Sequence, residues 1–86
     1  MDFEFDPQKN RINIQKHGID FKEVQLLWED PDRIEVPART TDEPRFIIIG
    51  KIADKHWSGV YTFRGEHVRI ISARRSRKEE VELYES

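Results

Sequence analysis

The spacing of apolar residues changes along the chain, and each spacing predicts a different element. Residues 2–5 alternate polar with apolar side chains, which predicts a short strand. Asp6 followed by Pro7 is typical of a helix N-cap and its first helical residue. We therefore predict a helix to about His17, ended by Gly18, which suits the left-handed position after a helix. Only two isoleucines lie within it, which indicates a helix on the surface.

A second helix is predicted to begin at Asp20, whose side chain can cap it. Val24, Leu27 and Trp28 then form an apolar stripe at helical spacing. We expect this helix to end at Asp30-Pro31, because the residue before a proline avoids the helical conformation.

The middle of the chain predicts β-structure. A brief strand over 33–36 is followed by a predicted loop from Pro37 to Pro44. The β-branched run from Arg45 to Ile52 predicts a central strand buried on both faces. Gly59 is a candidate bulge within the next strand. Short turns predict an antiparallel meander that continues through two further strands, residues 56–63 and 67–74.

The chain ends in a predicted third helix that begins at Ser76, where Ser76 and Glu79 have the spacing of a capping box. Val81 and Tyr84 share one face of this helix and can dock on the sheet. This order of elements predicts an α+β two-layer fold. The length of 86 residues predicts a single domain over residues 1–86.

Composition narrows the class of protein. Cysteine is absent, so neither a disulfide framework nor a thiolate metal site can support the fold. No apolar segment is long enough to span a membrane, and the first residues are acidic, unlike a secretory signal. We therefore expect a soluble cytoplasmic protein with no membrane partner.

Charge is unevenly distributed, although the net charge is only −2. Residues 1–54 hold 8 Lys and Arg against 12 Asp and Glu. Residues 55–78 hold 7 basic residues against 1 acidic residue, and residues 79–86 hold 4 glutamates and no base. A cationic band between acidic segments suits a localised site for an anion such as phosphate, and it also suits a solvated face of mixed charge.

The order and spacing of several short motifs resemble the BrnT-type toxins. The first half of the chain contributes Phe3-Glu4-Phe5-Asp6, Lys9-Asn10, Asn13, Lys16-His17-Gly18-Ile19, Phe21 and Glu23. The second half contributes Asp30-Pro31, Glu43-Pro44-Arg45, Ile49-Gly50, Val60-Tyr61-Thr62, Arg64, the run from Arg69 to Arg75, and Tyr84-Glu85. Each motif is weak alone, but together they cover nearly the whole chain and are specific.

The resemblance implies a RelE-like fold with two N-terminal helices and one C-terminal helix around an antiparallel sheet. It implies a ribonuclease toxin of a type II toxin–antitoxin system. It also implies a BrnA-like antitoxin encoded beside the toxin gene, a heterotetramer assembled through an antitoxin dimer, and promoter DNA bound only through the antitoxin.

The last helix departs from the family pattern, in which the segment after Ile-Ser-Ala-Arg is usually more basic. Here Glu80 is followed by Val81, and glutamates flank the pair. The acidic helix weakens the cationic surface, so two functions stay open. The first is a metal-independent endoribonuclease that inhibits translation. The second is a weakly active or inactive binding module that acts in antitoxin complex formation and autoregulation.

RNA cleavage without a metal uses the adjacent 2′-hydroxyl as nucleophile and needs cations against the phosphate. Arginine suits this task because its planar fork grips two phosphate oxygens. By analogy with the RelE-like layout, Arg64, Arg69 and Arg74 are the candidate phosphate clamps. Strict alternation puts Arg74 on the opposite strand face from Arg69, unless a bulge turns it. Each could instead be a salt-bridge partner of a surface glutamate.

The candidate acids and bases are His17 and His67, because histidine titrates near neutral pH. His67 should share a strand face with Arg69, whereas His17 could simply be a helix C-terminal residue. The candidate RNA-binding residues are Lys9, Lys16, Arg75 and Tyr84, against the alternatives of solvated side chains and, for Tyr84, burial on the sheet. The histidines are scattered and no ligand spacing occurs, so neither a metal site nor a cofactor is expected.

Overall fold

A computed structural model of the chain describes residues 1–39 and 42–86. In order along the chain, its elements are β1 (Asp2–Phe5), α1 (Pro7–His17), α2 (Phe21–Val24), a 3₁₀ helix (Gln25–Glu29), β2 (Ile34–Ala38), β3 (Arg45–Ile52), β4 (Lys55–Arg64), β5 (His67–Arg75) and α3 (Lys78–Glu85). The α+β prediction is confirmed, since the described residues form five strands in one sheet and three α-helices. No helix of the described residues is long and apolar enough to cross a membrane.

The sheet has the order β1-β5-β4-β3-β2, and β2 to β5 form the predicted antiparallel meander. The prediction of a wholly antiparallel sheet is wrong at β1, which pairs parallel with β5 from Asp2 opposite His67 to Phe5 opposite Ile70. Parallel strands need a long connection, and here all the elements from α1 to β4 lie between β1 and β5 along the chain. The strand predicted as central, β3, lies second from the edge, and β4 is central.

The strand after the helical region is longer than predicted, because β2 continues to Ala38 and includes Pro37. A proline fits here because β2 is an edge strand, and its missing N–H can face away from the ladder. The predicted loop therefore begins later than expected. Thr40 and Thr41, in the middle of that prediction, lie outside the described residues.

The core lies between the sheet and the segment that contains α2 and the 3₁₀ helix. This segment contributes Phe21, Val24 and Leu27, each 0% exposed. Opposite them, the sheet contributes Ile48, Tyr61, Val68, Ile70 and Ala73. Phe3 and Tyr61 each pack edge-to-face on Trp28, with ring centroids 5.0 Å apart in both pairs.

The second helix is shorter than its apolar stripe predicts. Asp20 caps it as expected, accepting a hydrogen bond from the backbone N–H of Lys22 at 2.8 Å. The α-helix stops at Val24 and the chain tightens into the 3₁₀ helix Gln25–Glu29. Val24 and Leu27 are three residues apart, a spacing that fits the three-residue turn of a 3₁₀ helix as well as an α-helix.

The first helix has the predicted ends. The Asp6 side chain accepts a hydrogen bond from the Gln8 N–H at 2.9 Å, and Gly18 has a φ of 72° after the last turn. Asn13 fixes this helix to the sheet, because its side chain donates to the Ile19 carbonyl at 3.2 Å and accepts from the Ala73 N–H at 3.0 Å. Helix α1 thus supplies a hydrogen-bond acceptor to the edge of β5 beyond the end of β1.

Replacing Asn13 with alanine is expected to destabilise the fold by about 1–3 kcal/mol, because the change leaves a buried N–H and a buried carbonyl without partners. Urea unfolding measures the effect. Gln15→Ala, at an exposed position of the same helix, is the control and should shift the free energy of unfolding by less than about 0.5 kcal/mol. Equal effects of the two changes would contradict the anchoring role.

The final helix begins two residues after Ser76, at Lys78, so the predicted Ser76 cap is wrong. Glu80 makes the capping contact instead, accepting from the Arg77 N–H at 2.7 Å. The Ser76 hydroxyl is used elsewhere, because it lies 2.8 Å from the hydroxyl of Ser58 on β4.

A β-bulge is present, but it lies on β5 rather than at Gly59. Val60 pairs with Ser72 and Tyr61 pairs with Ile70, so Ile71 is the extra residue. Gly59 serves a different purpose, since a Cβ there would meet Ile48 Cγ2 at 3.3 Å. The bulge reverses the alternation of β5 and therefore decides which of its arginines lie on the same face.

Candidate functional site

One face of the sheet is turned away from the core, and we call it the outer face. It carries a cross-strand row in which Glu4 of β1 pairs with Arg69 of β5 and Arg69 pairs with Thr62 of β4. Paired residues point to the same side of a sheet, and their chain neighbours Tyr61 and Val68 are buried in the core. The row therefore points outward.

Arg45, the first residue of β3, extends this row. Its neighbour Phe46 packs against the core, so alternation puts Arg45 on the outer face. The Thr62 hydroxyl donates to the Pro44 carbonyl at 2.6 Å, which holds the start of β3 beside β4. The Nε of Arg45 is buried and makes no hydrogen bond to a described residue.

Arg69 lies at the middle of the row and is partly exposed, at 28%. Its Nη1 donates to Glu4 Oε2 at 2.7 Å, and this is the one hydrogen bond that the Arg69 side chain makes with described residues. One donated bond leaves the remaining N–H groups of the guanidinium available, because arginine carries five. The side chain is thus held in place and can still grip a phosphate.

Arg64 and His67 lie at the hairpin end of the same face. They pair with each other across β4 and β5, and His67 also pairs with Asp2 of β1. A single residue lies between Thr62 and Arg64, and another between His67 and Arg69, so alternation puts Arg64 and His67 on the outer face. Both are exposed. The structure brings three of the predicted catalytic residues to one corner: Arg64, His67 and Arg69.

Arg74 lies on the outer face as well, because the Ile71 bulge turns it to the side of Arg69. It pairs with Ser58, four residues from Thr62, so the two arginines are separated by about 13 Å along the strands. Its guanidinium is occupied, since Nη1 and Nη2 donate to the two carboxylate oxygens of Glu80 at 2.7 and 2.9 Å. The Ser58 hydroxyl donates to the same carboxylate at 3.0 Å.

This ion pair shifts the pKa values of both Arg74 and Glu80. The hydrogen bond from Arg74, with those from the Arg77 N–H and Ser58, lowers the pKa of Glu80 from 4.5 to about 2, although burial opposes the shift. The same hydrogen bond raises the pKa of Arg74. Arg74 is therefore a neutralised cation, and it joins α3 to the sheet.

The pH dependence of stability should reveal this pair. Because folding lowers the pKa of Glu80, its stabilisation is complete above pH 4.5 and is lost as the pH falls towards about 2. We expect Glu80→Gln to be less stable than the wild type at neutral pH, with the difference shrinking over that range. Urea midpoints measured across the range test this, with exposed Glu79→Gln as the control. A difference independent of pH would contradict it.

His17, Lys9 and Lys16 lie apart from the outer-face row, on α1. They line a shallow pocket between this helix and the bulged part of β5, together with Ile12, Asn13, Ile71 and Ser72. The structure therefore brings His17 together with the two predicted RNA-binding lysines rather than with His67.

Arg75 and Tyr84 lie away from both groups. The Arg75 guanidinium is 5.6 Å from the centroid of the Trp57 ring. The Tyr84 hydroxyl donates to Asp30 Oδ2 at 2.6 Å, a bond that raises the pKa of Tyr84 and ties α3 to the end of the 3₁₀ helix. Burial raises the pKa of Asp30, but this bond and two backbone N–H donors outweigh it, so that pKa is lowered.

A comparison with protein families decides the identity. Residues 5–80 match the family described as the ribonuclease toxin, BrnT, of type II toxin–antitoxin systems. The chain belongs to the BrnT family. Its family relationship therefore makes it a ribonuclease toxin with a protein antitoxin as partner. No individual curated protein matches the chain.

The region matched to BrnT includes the outer-face arginines and the α1 pocket. Glu4 and Tyr84 lie just outside it. Glu4 and Arg45 were absent from the predicted site, although both lie in the row of Arg69. The alternation of residues 2–5 signals that Glu4 points away from Phe3 and Phe5, but its contact with Arg69 spans 65 residues. That distance in sequence hid the pairing.

Side chains that could bind a metal ion do not cluster in the described part of this BrnT chain. No group of three or more His, Cys, Asp and Glu side chains among residues 1–39 and 42–86 could hold an ion. The charged groups that are close to one another on the outer face are arginines and their carboxylate partners.

Proposed function

We propose that the chain is a metal-independent endoribonuclease whose active site is the outer-face corner around Arg69. The observation that supports this most is the state of Arg69. It is oriented by a hydrogen bond that it donates to Glu4, it is partly exposed, and most of its N–H donors meet no acceptor among the described residues. A preorganised cation of this kind stabilises charge that develops on a phosphate.

The reaction follows from the chemistry of RNA. The 2′-hydroxyl oxygen attacks the adjacent phosphorus, its proton passes to a base, and the bond from phosphorus to the 5′-oxygen breaks. The departing 5′-oxygen takes up a proton from an acid. The products carry a 2′,3′-cyclic phosphate and a 5′-hydroxyl. Arg69 and Arg64 would bind the phosphate oxygens as negative charge accumulates on them.

Two groups at this corner can exchange protons with the substrate, and they are Glu4 and His67. Glu4 is a carboxylate that touches Arg69, so a phosphate gripped by Arg69 would bring its 2′-hydroxyl near Glu4. His67 is exposed one position along the same face and can act as either acid or base. Glu4 is therefore a candidate proton-transfer group that the sequence did not suggest.

The partners follow from the family. The proposed antitoxin is BrnA-like and neutralises the toxin by covering the outer face, with an antitoxin dimer joining two toxins in a heterotetramer. Promoter DNA would be bound through the antitoxin. We assign residues 1–86 to a single domain of RelE-like fold that acts in the cytoplasm to inhibit translation.

A second function is favoured by one observation. Glu80 occupies both terminal nitrogens of Arg74, so this arginine contributes no free cation to the outer face. If cleavage requires Arg74 as well as Arg69, the chain is a binding module that acts in antitoxin complex formation and autoregulation.

Induced expression in a bacterial host separates the two functions. The nuclease arrests growth and depletes total RNA, and co-expression of the protein from the neighbouring reading frame relieves both effects. Folded wild-type protein that causes no arrest, yet binds that neighbouring protein, would favour the binding module. Failure to bind it would overturn the antitoxin assignment.

A further inference from the structure

The pocket between α1 and β5 has a composition that the outer-face row lacks. Its seven lining residues include two lysines and one histidine, and none is acidic. Two arginines of the outer face, Arg69 and Arg74, each hold a carboxylate partner. By contrast, neither Lys9 nor Lys16 forms an ion pair with a described residue. Their charge is therefore available to an outside ligand.

Two of the residues that line the pocket are apolar. Ile12 is 46% exposed on α1, and Ile71 lies opposite it as the bulged residue of β5. Ser72 adds a hydroxyl next to Ile71. The Asn13 amide is directed to the backbone, where it bonds Ile19 and Ala73. Cations above apolar walls suit a ligand that has both a phosphate and a flat or apolar body.

The pocket lies along β5 from the proposed reaction centre. Ser72 is three residues from Arg69 and pairs with Val60, which is two residues from Thr62 on the outer face. Because Ile71 is bulged, the two ladder positions between them span about 7 Å, and a stacked nucleic-acid strand rises about 3.4 Å per nucleotide. A strand held by Arg69 therefore reaches the pocket within a few nucleotides.

We propose that this pocket binds one nucleotide of single-stranded RNA that flanks the scissile phosphate. Lys9, Lys16 and His17 bind its phosphate, and Ile12 and Ile71 contact its ribose and base. This inference rests on the proposed ribonuclease function and extends it, because it assigns His17 to substrate binding instead of proton transfer. It also explains why the bulge matters, since Ile71 forms one wall.

A matched pair of substitutions on α1 tests the pocket. Ile12 and Ile14 are both exposed, at 46% and 41%, but only Ile12 lines the pocket. Ile12→Glu and Ile14→Glu change the net charge equally. The measurement is the Kd of a labelled single-stranded RNA that is 2′-O-methylated throughout, so that it cannot be cleaved. We expect Ile12→Glu to weaken binding by about tenfold or more and Ile14→Glu by less than about twofold.

The lysines give an independent readout at exposed positions of α1. Lys9→Ala and Lys16→Ala should each make the slope of log affinity against log salt shallower by about 0.7, the contribution of one phosphate contact in a single strand. Lys22→Ala, an exposed lysine on α2, should leave the slope unchanged. For cleavable RNA, Lys16→Ala should raise KM and leave kcat close to that of the wild type.

The outcomes separate this inference from the ribonuclease proposal. Equal weakening by Ile12→Glu and Ile14→Glu, unchanged binding in both, or no binding by the wild type would overturn the pocket. A wild type that cleaves RNA together with equal effects of the two glutamates rejects the pocket alone. A wild type that fails to cleave, with binding lost only in Ile12→Glu, keeps the pocket and rejects the nuclease.

Discussion

Replacing Arg69 with alanine is expected to lower kcat for RNA cleavage by about 100- to 1,000-fold, the usual effect of removing one preorganised donor from a developing oxyanion. The expectation rests on the single bond to Glu4, which orients the guanidinium without exhausting its donors. Arg69→Lys should recover only part of the rate, because an ammonium keeps the charge but lacks the fork. Steady-state cleavage of a defined RNA by purified variants measures both.

Two controls accompany this test. Arg11→Ala removes an exposed arginine of α1 that does not line the pocket, and it should leave kcat within about twofold of the wild type. Arg74→Ala should reduce kcat less than Arg69→Ala does, because Glu80 already holds both of its terminal nitrogens. A larger loss in Arg74→Ala would move the reaction centre to the α3 end of the sheet.

Replacing Phe21 with alanine is expected to destabilise the protein by about 3–5 kcal/mol, which is a large share of the 5–15 kcal/mol typical of small domains. Phe21 is 0% exposed and packs edge-to-face on Phe5 with centroids 5.5 Å apart. Its loss leaves a cavity at the start of α2, where the core meets β1. Urea unfolding and thermal melting measure the change.

The neighbouring exposed residue supplies the control for this change. Lys22→Ala should alter the free energy of unfolding by less than about 0.5 kcal/mol. A loss below about 1 kcal/mol in Phe21→Ala would contradict the placement of Phe21 in the core. Because Phe21 lies in the core, on the opposite side of the sheet from the outer face, the folded fraction of Phe21→Ala should cleave RNA at the wild-type rate.

The elements that local sequence determines were predicted well. Helix α1 begins and ends where Asp6, Pro7 and Gly18 predict, because a cap is decided by the residues that form it. The bounds of β3 were also correct, since β-branched side chains fill it. The second helix was predicted too long, because the spacing of Val24 and Leu27 does not distinguish an α-helix from a 3₁₀ turn.

Features that depend on distant residues were not predictable in this way. The parallel pairing of β1 with β5 joins residues more than sixty positions apart, and no local pattern encodes that choice. The same distance hid the contact between Glu4 and Arg69. Individual cations of the site could be chosen from the sequence, but their carboxylate partners could not.

The face occupied by Arg74 depended on a single residue. Strict alternation predicted that Arg69 and Arg74 would lie on opposite faces, and the bulge at Ile71 brings them to the same face. The glycine suggested a bulge at Gly59, whereas its lack of a side chain instead lets Val24 and Ile48 pack closely against that position of β4. The small size of Gly59 is required for packing and does not mark a change of strand register.

We propose that the outer face cleaves RNA through the 2′-hydroxyl without a metal. The most direct measurement incubates the purified chain, in excess EDTA, with a single-stranded RNA and with the same sequence 2′-O-methylated throughout. We expect cleavage of the unmodified RNA alone, with products that carry a 2′,3′-cyclic phosphate and a 5′-hydroxyl. Cleavage of the methylated strand, or cleavage that appears only when Mg²⁺ is restored, would contradict it.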